Sequence, residues 1–326
     1  MDVTTALEQI IFSHHDPNTW YYVQYYDYLK GYNQQIQKVL VSYLSDLFKS
    51  HKEISLENTA VSVVGSDARL EKGEKSQIEL LFVTDAEKDF FGGAIKAIQE
   101  NSRVFNNLEL KDNNEDMALF QNNRSTKFPS RALDSRFIIG NHDELFSQMK
   151  EKLNWDIAAG YSSLKKALKE RIRYYRGIML EGRNRFKGEE IIHYDLEKGI
   201  TYYNEKENMI SFKGGPLRLV NSILTRNIIG YIKNQPEDAS FTKNLPANIK
   251  QRIYYLLPLP EFSLTSRETD LLTDDYAYFL WQYHRSQCNS HREKQCETEF
   301  DAKEVKERIK ELDSLLRKPI LTYENC

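Results

Sequence analysis

The chain has 326 residues, 45 basic and 48 acidic side chains, a formal net charge of −3, and 40% hydrophobic against 29% charged residues. That balance excludes a disordered or strongly basic chain, and it is the composition expected of a soluble globular protein with material for one large or two ordinary domains. Near-neutral charge leaves no electrostatic footprint for bulk nucleic acid beyond a local patch.

In chain order, residues 2 to about 50 read as helical, broken at Asp16-Pro17-Asn18, with apolar residues recurring at helical spacing through "YYVQYYDYLKGYNQQIQKVLVSYLSDLF". Its tyrosine stripe has two readings, a ligand-stacking surface or the packing face of an amphipathic helix. After residue 58 the texture changes: "AVSVVG" and "QIELLFV" read as strands. A helix follows from about Asp89 to Asn101, then strand-like "DMALFQ" and "LDSRFIIG", then a helix opening at "HDELFSQMKEKL". From about residue 156 the pattern is mostly helical. "AAGYSSLKKALKERIRYYRGIML" reads as one long basic helix, residues 192–215 as a turn-rich insertion, and "PLRLVNSILTRNIIGYIKN" as a helix with Pro216 in its first turn. The last helix, near Asp301 to Arg317, places Val305, Ile309, Leu312 and Leu316 on one side.

These elements predict an α+β protein, with a helical N-terminal region at 1–54, an α/β domain with a small mixed sheet at 55–155, and a helical C-terminal domain at 156–326. The three cysteines, Cys288, Cys296 and Cys326, are odd in number; Cys288, His291 and Cys296 lack an obvious fourth zinc ligand, and reduced thiols in a cytoplasm are the expectation. No stretch approaches ~18 consecutive apolar residues and no basic-then-apolar leader is visible, so no membrane partner is expected. A cryptic or C-terminal secretion signal lies beyond this test.

The stretch that bears chemistry is "VVGSDARLEKGEKSQIELLFV", residues 63–83. Glycine lets backbone approach a phosphate closely, and serine adds a hydroxyl donor to the turn. Strand alternation then puts residues i and i+2 of the next strand on one face, where two carboxylates can share divalent ions.

Gly65, Ser66, Ala68, Arg69, Glu71 and Ser76 stand at the places of the G-S-x-A-R-x-E, spacer, S-D-x-D pattern, and the chain resembles the polymerase-β-like nucleotidyltransferases. Within them it is closest in pattern to bacterial signal-protein uridylyltransferases and to signal-transduction nucleotidyltransferases that often carry CBS domains. "RALDSRFIIG" is similar to their leucine–aspartate–x–arginine segment, and "SFKGGPLRLVNSIL" to their helical-domain segment with lysine and paired glycines, although a proline shifts the internal order. The three segments cover residues 63 to about 224, with no companion CBS, HD or ACT-type domain in view.

The resemblance implies a nucleoside triphosphate substrate and magnesium or manganese as cofactor. It implies catalytic positions at Gln77, Glu79 and Asp134, with Glu79 and Asp134 as metal ligands. Nucleotide contacts are implied at Gly65, Ser66, Arg69, Ser76, Arg136, Lys213 and Arg218. The departures are Gln77 and Glu79, which stand where the pattern has aspartates. Gln77 removes a full negative charge, and Glu79 adds a methylene to a ligand of an ion that demands near-ideal geometry. Asp67, Glu71 and Glu74 are substitute ligands or merely solvated carboxylates. Arg69 either holds phosphate or pairs with Glu71 or Glu79 to fix the loop, and Lys213 and Arg218 either neutralise triphosphate or are solvated.

Three functional expectations follow. The first is an enzyme that transfers a nucleoside monophosphate to a protein or small-molecule hydroxyl and releases pyrophosphate. The second is a catalytically impaired module of the same fold, a pseudoenzyme in signal transduction acting through nucleotide or protein binding. The third places the working surface, a protein-partner site, on the tyrosine-rich N-terminal helices.

Overall fold

The computed structural model describes residues 3–12, 16–51, 54–73, 77–85, 91–100, 104–112, 131–181, 192–195, 200–203, 212–259, 262–292 and 298–324. They form an α+β protein. Two compact units interleave along the chain: Met1–His14, Tyr28–Tyr161 and Ile232–Asn248 make the first, and His15–Asp27, Ser162–Tyr231 and Ile249–Cys326 the second. Among the described residues no helix is long and apolar enough to cross a membrane.

Helix α1 is Val3–Phe12 and α2 is Tyr22–Ser50. The expected break holds a 3-10 turn, Pro17–Thr19, capped by Asp16, whose Oδ1 accepts from Asn18 N at 3.0 Å. Tyr22, Tyr25, Tyr26 and Tyr32 of the tyrosine stripe are buried, so these rings serve packing rather than a ligand-stacking surface, while Tyr21 is exposed.

The first unit is built on a four-stranded sheet in the order β3-β2-β1-β4. Its strands are β1 (Thr59–Val63), β2 (Ile78–Thr84), β3 (Phe105–Asp112) and β4 (Arg136–Gly140). Between β1 and β2 lies the short helix α3 (Gly65–Arg69), and α4 (Gly92–Glu100) bridges β2 to its parallel neighbour β3. β1 pairs antiparallel with both β2 and β4, so the runs expected as adjacent strands lie side by side. β1 is buried throughout and β2 everywhere except Glu79, which is why both read as near-continuous apolar runs.

On one face Ala60, Val64, Leu81 and Val83 pack with Leu145, Phe146 and Met149. These last three come from a π-helical turn, His142–Phe146, and helix α5, Ser147–Ala159. Elsewhere in the unit Phe82 meets Phe91 edge to face at 6.2 Å, and Phe105 stacks on Tyr43 of α2 at 5.3 Å. "DMALFQ", expected as a strand, lies outside the described residues.

The stretch expected as one basic helix, residues 158–180, begins with the end of a first helix, α5, and is otherwise a second one, α6 (Tyr161–Glu181). Gly160 ends the first, its N–H closing on Asp156 O at 2.8 Å, because a glycine without Cβ favours a helix end over a helix interior.

In the second unit, the segment read as a turn-rich insertion contains β5 (Ile192–Asp195) and β6 (Ile200–Tyr203), which form an antiparallel sheet with β7 (Thr298–Glu299). A π-helical turn, Lys213–Leu217, holds Pro216 and leads into α7 (Arg218–Asn234). Helix α8 (Ala239–Asn244) belongs to the first unit, and α9 (Ile249–Leu256), α10 (Ser266–Arg292) and α11 (Ala302–Glu324) complete the second. Val305, Ile309, Leu312 and Leu316 of α11 are buried, as their spacing predicts. Arg308 ties α11 to α10 by donating to Asp274 at 3.0 Å and Asp275 at 2.9 Å, its guanidinium 4.3 Å from the Tyr278 ring centroid.

β1 and β4 can run side by side to their ends because residue 140 is glycine. Gly140 has φ +104°, and a Cβ there would stand 2.0 Å from Thr59 O. Gly140→Ala is expected to destabilise the protein by about 1–3 kcal/mol through backbone strain, with the backbone clash adding to it. Chemical denaturation read by circular dichroism measures the shift, and an unchanged midpoint would refute this role for the glycine.

Candidate functional site

The site gathers at the ends of β1, β2 and β4 in the first unit. β1 runs out at Val64, and Gly65 turns the chain with φ +66°, a left-handed conformation that favours glycine. Five residues later the helix α3 ends in a Schellman-type reversal: Glu71 N–H donates to Ser66 O at 2.8 Å and Leu70 N–H to Asp67 O at 3.2 Å. Leu70 holds φ +61°, strained for a branched side chain, and is itself buried.

A five-residue helix leaves its last carbonyls without intrahelical partners, and side chains from elsewhere supply them. Gln37 donates to Asp67 O at 3.0 Å, Arg136 to Ala68 O at 2.8 Å and Asn248 to Arg69 O at 2.7 Å. Asn33 grips Lys72 on both sides, donating to its carbonyl and accepting from its N–H, each at 3.2 Å.

Glu79 sits on β2, and Val64 N–H donates to its carbonyl at 3.1 Å, which extends the β1–β2 ladder to the mouth of the turn. Its carboxylate lies against Gly65, Oε2 only 3.2 Å from where a Cβ on that glycine would be. Arg131 reaches the other oxygen, Nη2 to Oε1, at 3.4 Å. Asp134 is in the turn two residues before β4, buried, and takes Arg69 Nη1 at 2.8 Å. The same Arg69 gives its Nε to Glu71 at 2.9 Å. Arg69 thus forms one of the pairs its loop-fixing reading allows, with Glu71, and a further one with Asp134.

The remaining sequence-predicted residues fall as follows. Gly65 and Ser66 open α3, Gln77 stands half-buried one residue before β2, and Arg136 is the first residue of β4. Ser76 and Glu74 lie outside the described residues. Lys213 and Arg218 belong to the second unit: Lys213 is exposed with Nζ 5.4 Å from the Tyr283 ring centroid, and Arg218 lies 5.9 Å from that of Tyr175. Of the paired glycines beside them, Gly215 has a packing role, since a Cβ there would come within 3.2 Å of Met179 Cα. Cys296 and Cys326 lie outside the described residues, as do the side chains of Cys288 and His291.

Two buried charges lie beneath the turn. Lys72 is fully buried and its Nζ, like Oδ2 of the buried Asp67, has no hydrogen-bond partner among the described residues. Burial pushes the Asp67 carboxyl up to about 7, against the opposing pull of Lys72 and with a further push from Glu79. Burial likewise pushes the Lys72 amine down, against the pull of Asp67. Among the described residues no group of three or more His, Cys, Asp or Glu is placed to hold a metal ion.

Arg131, Gln37, Asn33 and Asn248 were not singled out in the sequence. Only Arg131 had a signal, its place at the head of the matched "RALDSR" segment. No protein-family model matches the chain, and no curated protein matches it.

Asp67 supplies a pH test. A carboxyl whose folded value is raised favours the folded state below its unfolded value near 4, and that contribution is lost as pH rises through about 7. Asp67→Asn is expected to flatten the dependence, so that native protein loses stability relative to the variant between about pH 4 and 7, by up to about 1.4 kcal/mol per pH unit. Denaturation midpoints of both proteins across that window measure it, and parallel curves would refute the assignment.

Proposed function

We propose that the chain is a nucleotidyltransferase-like module that holds a nucleoside triphosphate without transferring its nucleotide, and that it serves as a regulatory binding protein rather than an enzyme. Support begins with the layout: the Gly65–Ser66 turn follows β1, Glu79 lies against that turn from the antiparallel neighbour β2, and Asp134 precedes the flanking β4. It accords with the order of turn and strands that the resemblance implies, except that Asp134 lies in the turn before β4 and not on the strand.

One observation carries the second half of the proposal. The two carboxylates that the resemblance assigns to metal are each ion-paired to a guanidinium, Glu79 to Arg131 and Asp134 to Arg69. Among the described residues three acidic groups, Glu71, Glu79 and Asp134, stand with three basic ones, Arg69, Arg131 and Arg136, and Gln77 adds no charge. These described charges balance one another. Two divalent ions set among three guanidiniums would meet repulsion and too few free carboxylate oxygens, so this donor set does not fit the two-ion centre, and no transfer step is derived through it.

Calorimetric titration with the four nucleoside triphosphates, with and without magnesium or manganese, tests the proposal beside an assay for released pyrophosphate. Binding of at least one triphosphate with no pyrophosphate release is the expected result. Metal-dependent binding with steady release would establish a transferase instead. Absence of binding by all four would end the nucleotide reading and move the search to protein partners.

A further inference from the structure

A buried ammonium grips the chain on both sides of Asp134. Lys150 of α5 is 2% exposed, and its Nζ donates to Ala132 O at 2.6 Å, with longer contacts to Leu133 O at 3.4 Å and Ser135 O at 3.5 Å. Helical residues 131–133 end at these carbonyls, and Ala132, Leu133, Asp134 and Ser135 are themselves buried. Carbonyls at a helix end lack intrahelical partners, and buried ones need donors from elsewhere. Ser135 closes part of the turn, its Oγ donating to Ala132 O at 2.7 Å and its N–H to the same oxygen at 3.3 Å. Lys150 adds to this an ammonium with three donors and no acceptor. A buried charge is costly unless it is hydrogen-bonded, so ammonium and turn hold each other in place.

Asp134 lies between two of the gripped carbonyls, and it is the residue that takes Arg69 Nη1 at 2.8 Å. Arg69 in turn ends α3, the helix that Gly65 and Ser66 open. Arg131, paired with Glu79, directly precedes Ala132. Both ion pairs of the site therefore start from the one short segment that Lys150 holds.

Resting on the nucleotide-holding reading above, we propose that Lys150 is a positioning residue of this site: its ammonium, and not only its alkyl stem, fixes residues 132–135 and so holds Asp134 against Arg69. It acts through Asp134 and Arg69 on the Gly65–Ser66 turn, and does not touch the triphosphate.

The probes are inorganic tripolyphosphate and the four nucleoside triphosphates, titrated calorimetrically against native protein and two variants, with folding checked by circular dichroism. Lys150→Met keeps an apolar stem and removes the donors. It is expected to bind about tenfold more weakly than native protein, the scale of one lost hydrogen bond to a charged group. Lys150→Ala opens the space of the stem and is weakened likewise. At matched ionic strength n-propylammonium, which replaces the missing atoms, restores its binding, whereas 1-propanol, of the same shape with a single donor, does not.

Native affinity in a folded Lys150→Met that has lost only thermal stability would overturn this inference and leave the nucleotide-holding proposal standing. Equal rescue of Lys150→Ala by 1-propanol would do the same, since packing alone would then suffice. No binding of any probe by native protein overturns both. Should the variants fail to fold, refolding of Lys150→Ala decides: recovery with n-propylammonium alone supports the role of the charge, and recovery with both additives or with neither overturns it.

Discussion

The turn from Gly65 to Lys72 is held from outside by side chains that cap its carbonyls, and the rest of the site hangs on that clamp. A short helix is not stable alone, and each of its terminal carbonyls, once buried, needs a donor. Gln37 from α2, Arg136 from β4 and Asn248 supply three successive ones, and Asn33 fixes the exit at Lys72. With four points fixed, Leu70 is forced into its left-handed conformation and Glu71 folds back to meet the side chain of Arg69. Backbone strain at Leu70 persists because its surroundings over-determine it.

That clamp also sets the electrostatics. The turn brings Asp67, Arg69, Glu71 and Lys72 within eight residues of chain, and the neighbouring segments add Glu79, Arg131 and Asp134. Isolated charges cannot be buried at this density, so the structure pairs them where geometry allows and discharges them where it does not. Arg69 between Glu71 and Asp134 is the first solution. Asp67, pushed towards its neutral form beneath the turn, is the second. A site neutral in this way differs in kind from one that presents bare carboxylates to metal, even where the two share a sequence pattern.

Much of the first unit was legible because its signals are local. Gly65 after a β-branched run, the apolar runs of β1 and β2, and the capped break at Asp16 each follow from short-range chemistry. β3 was missed since its ladder with β2 shifts register between Glu79 and Leu80, and that irregularity breaks the alternation that marks a strand. The clamp residues were illegible for another reason. Gln37, Asn33 and Asn248 are single polar side chains far from the turn in sequence, and nothing in their own surroundings says which carbonyl they will meet. Gly160 was hidden within a continuous amphipathic pattern, which periodicity reads straight through.

Glu79 shows how far a motif can be trusted. Relative to the aspartate of the pattern it adds one methylene, about 1.5 Å of reach. For a magnesium ligand that extra length is a liability, because the ion fixes its oxygens tightly. For a side chain that must cross from β2 to lie against Gly65 and meet Arg131, the length is useful, and those are the contacts Glu79 makes. Gly215 carries the same lesson in the second unit: its lack of a Cβ admits the backbone of Met179 rather than a phosphate. In both places the residue type that the pattern ties to nucleotide chemistry meets a demand of packing or pairing within its own unit.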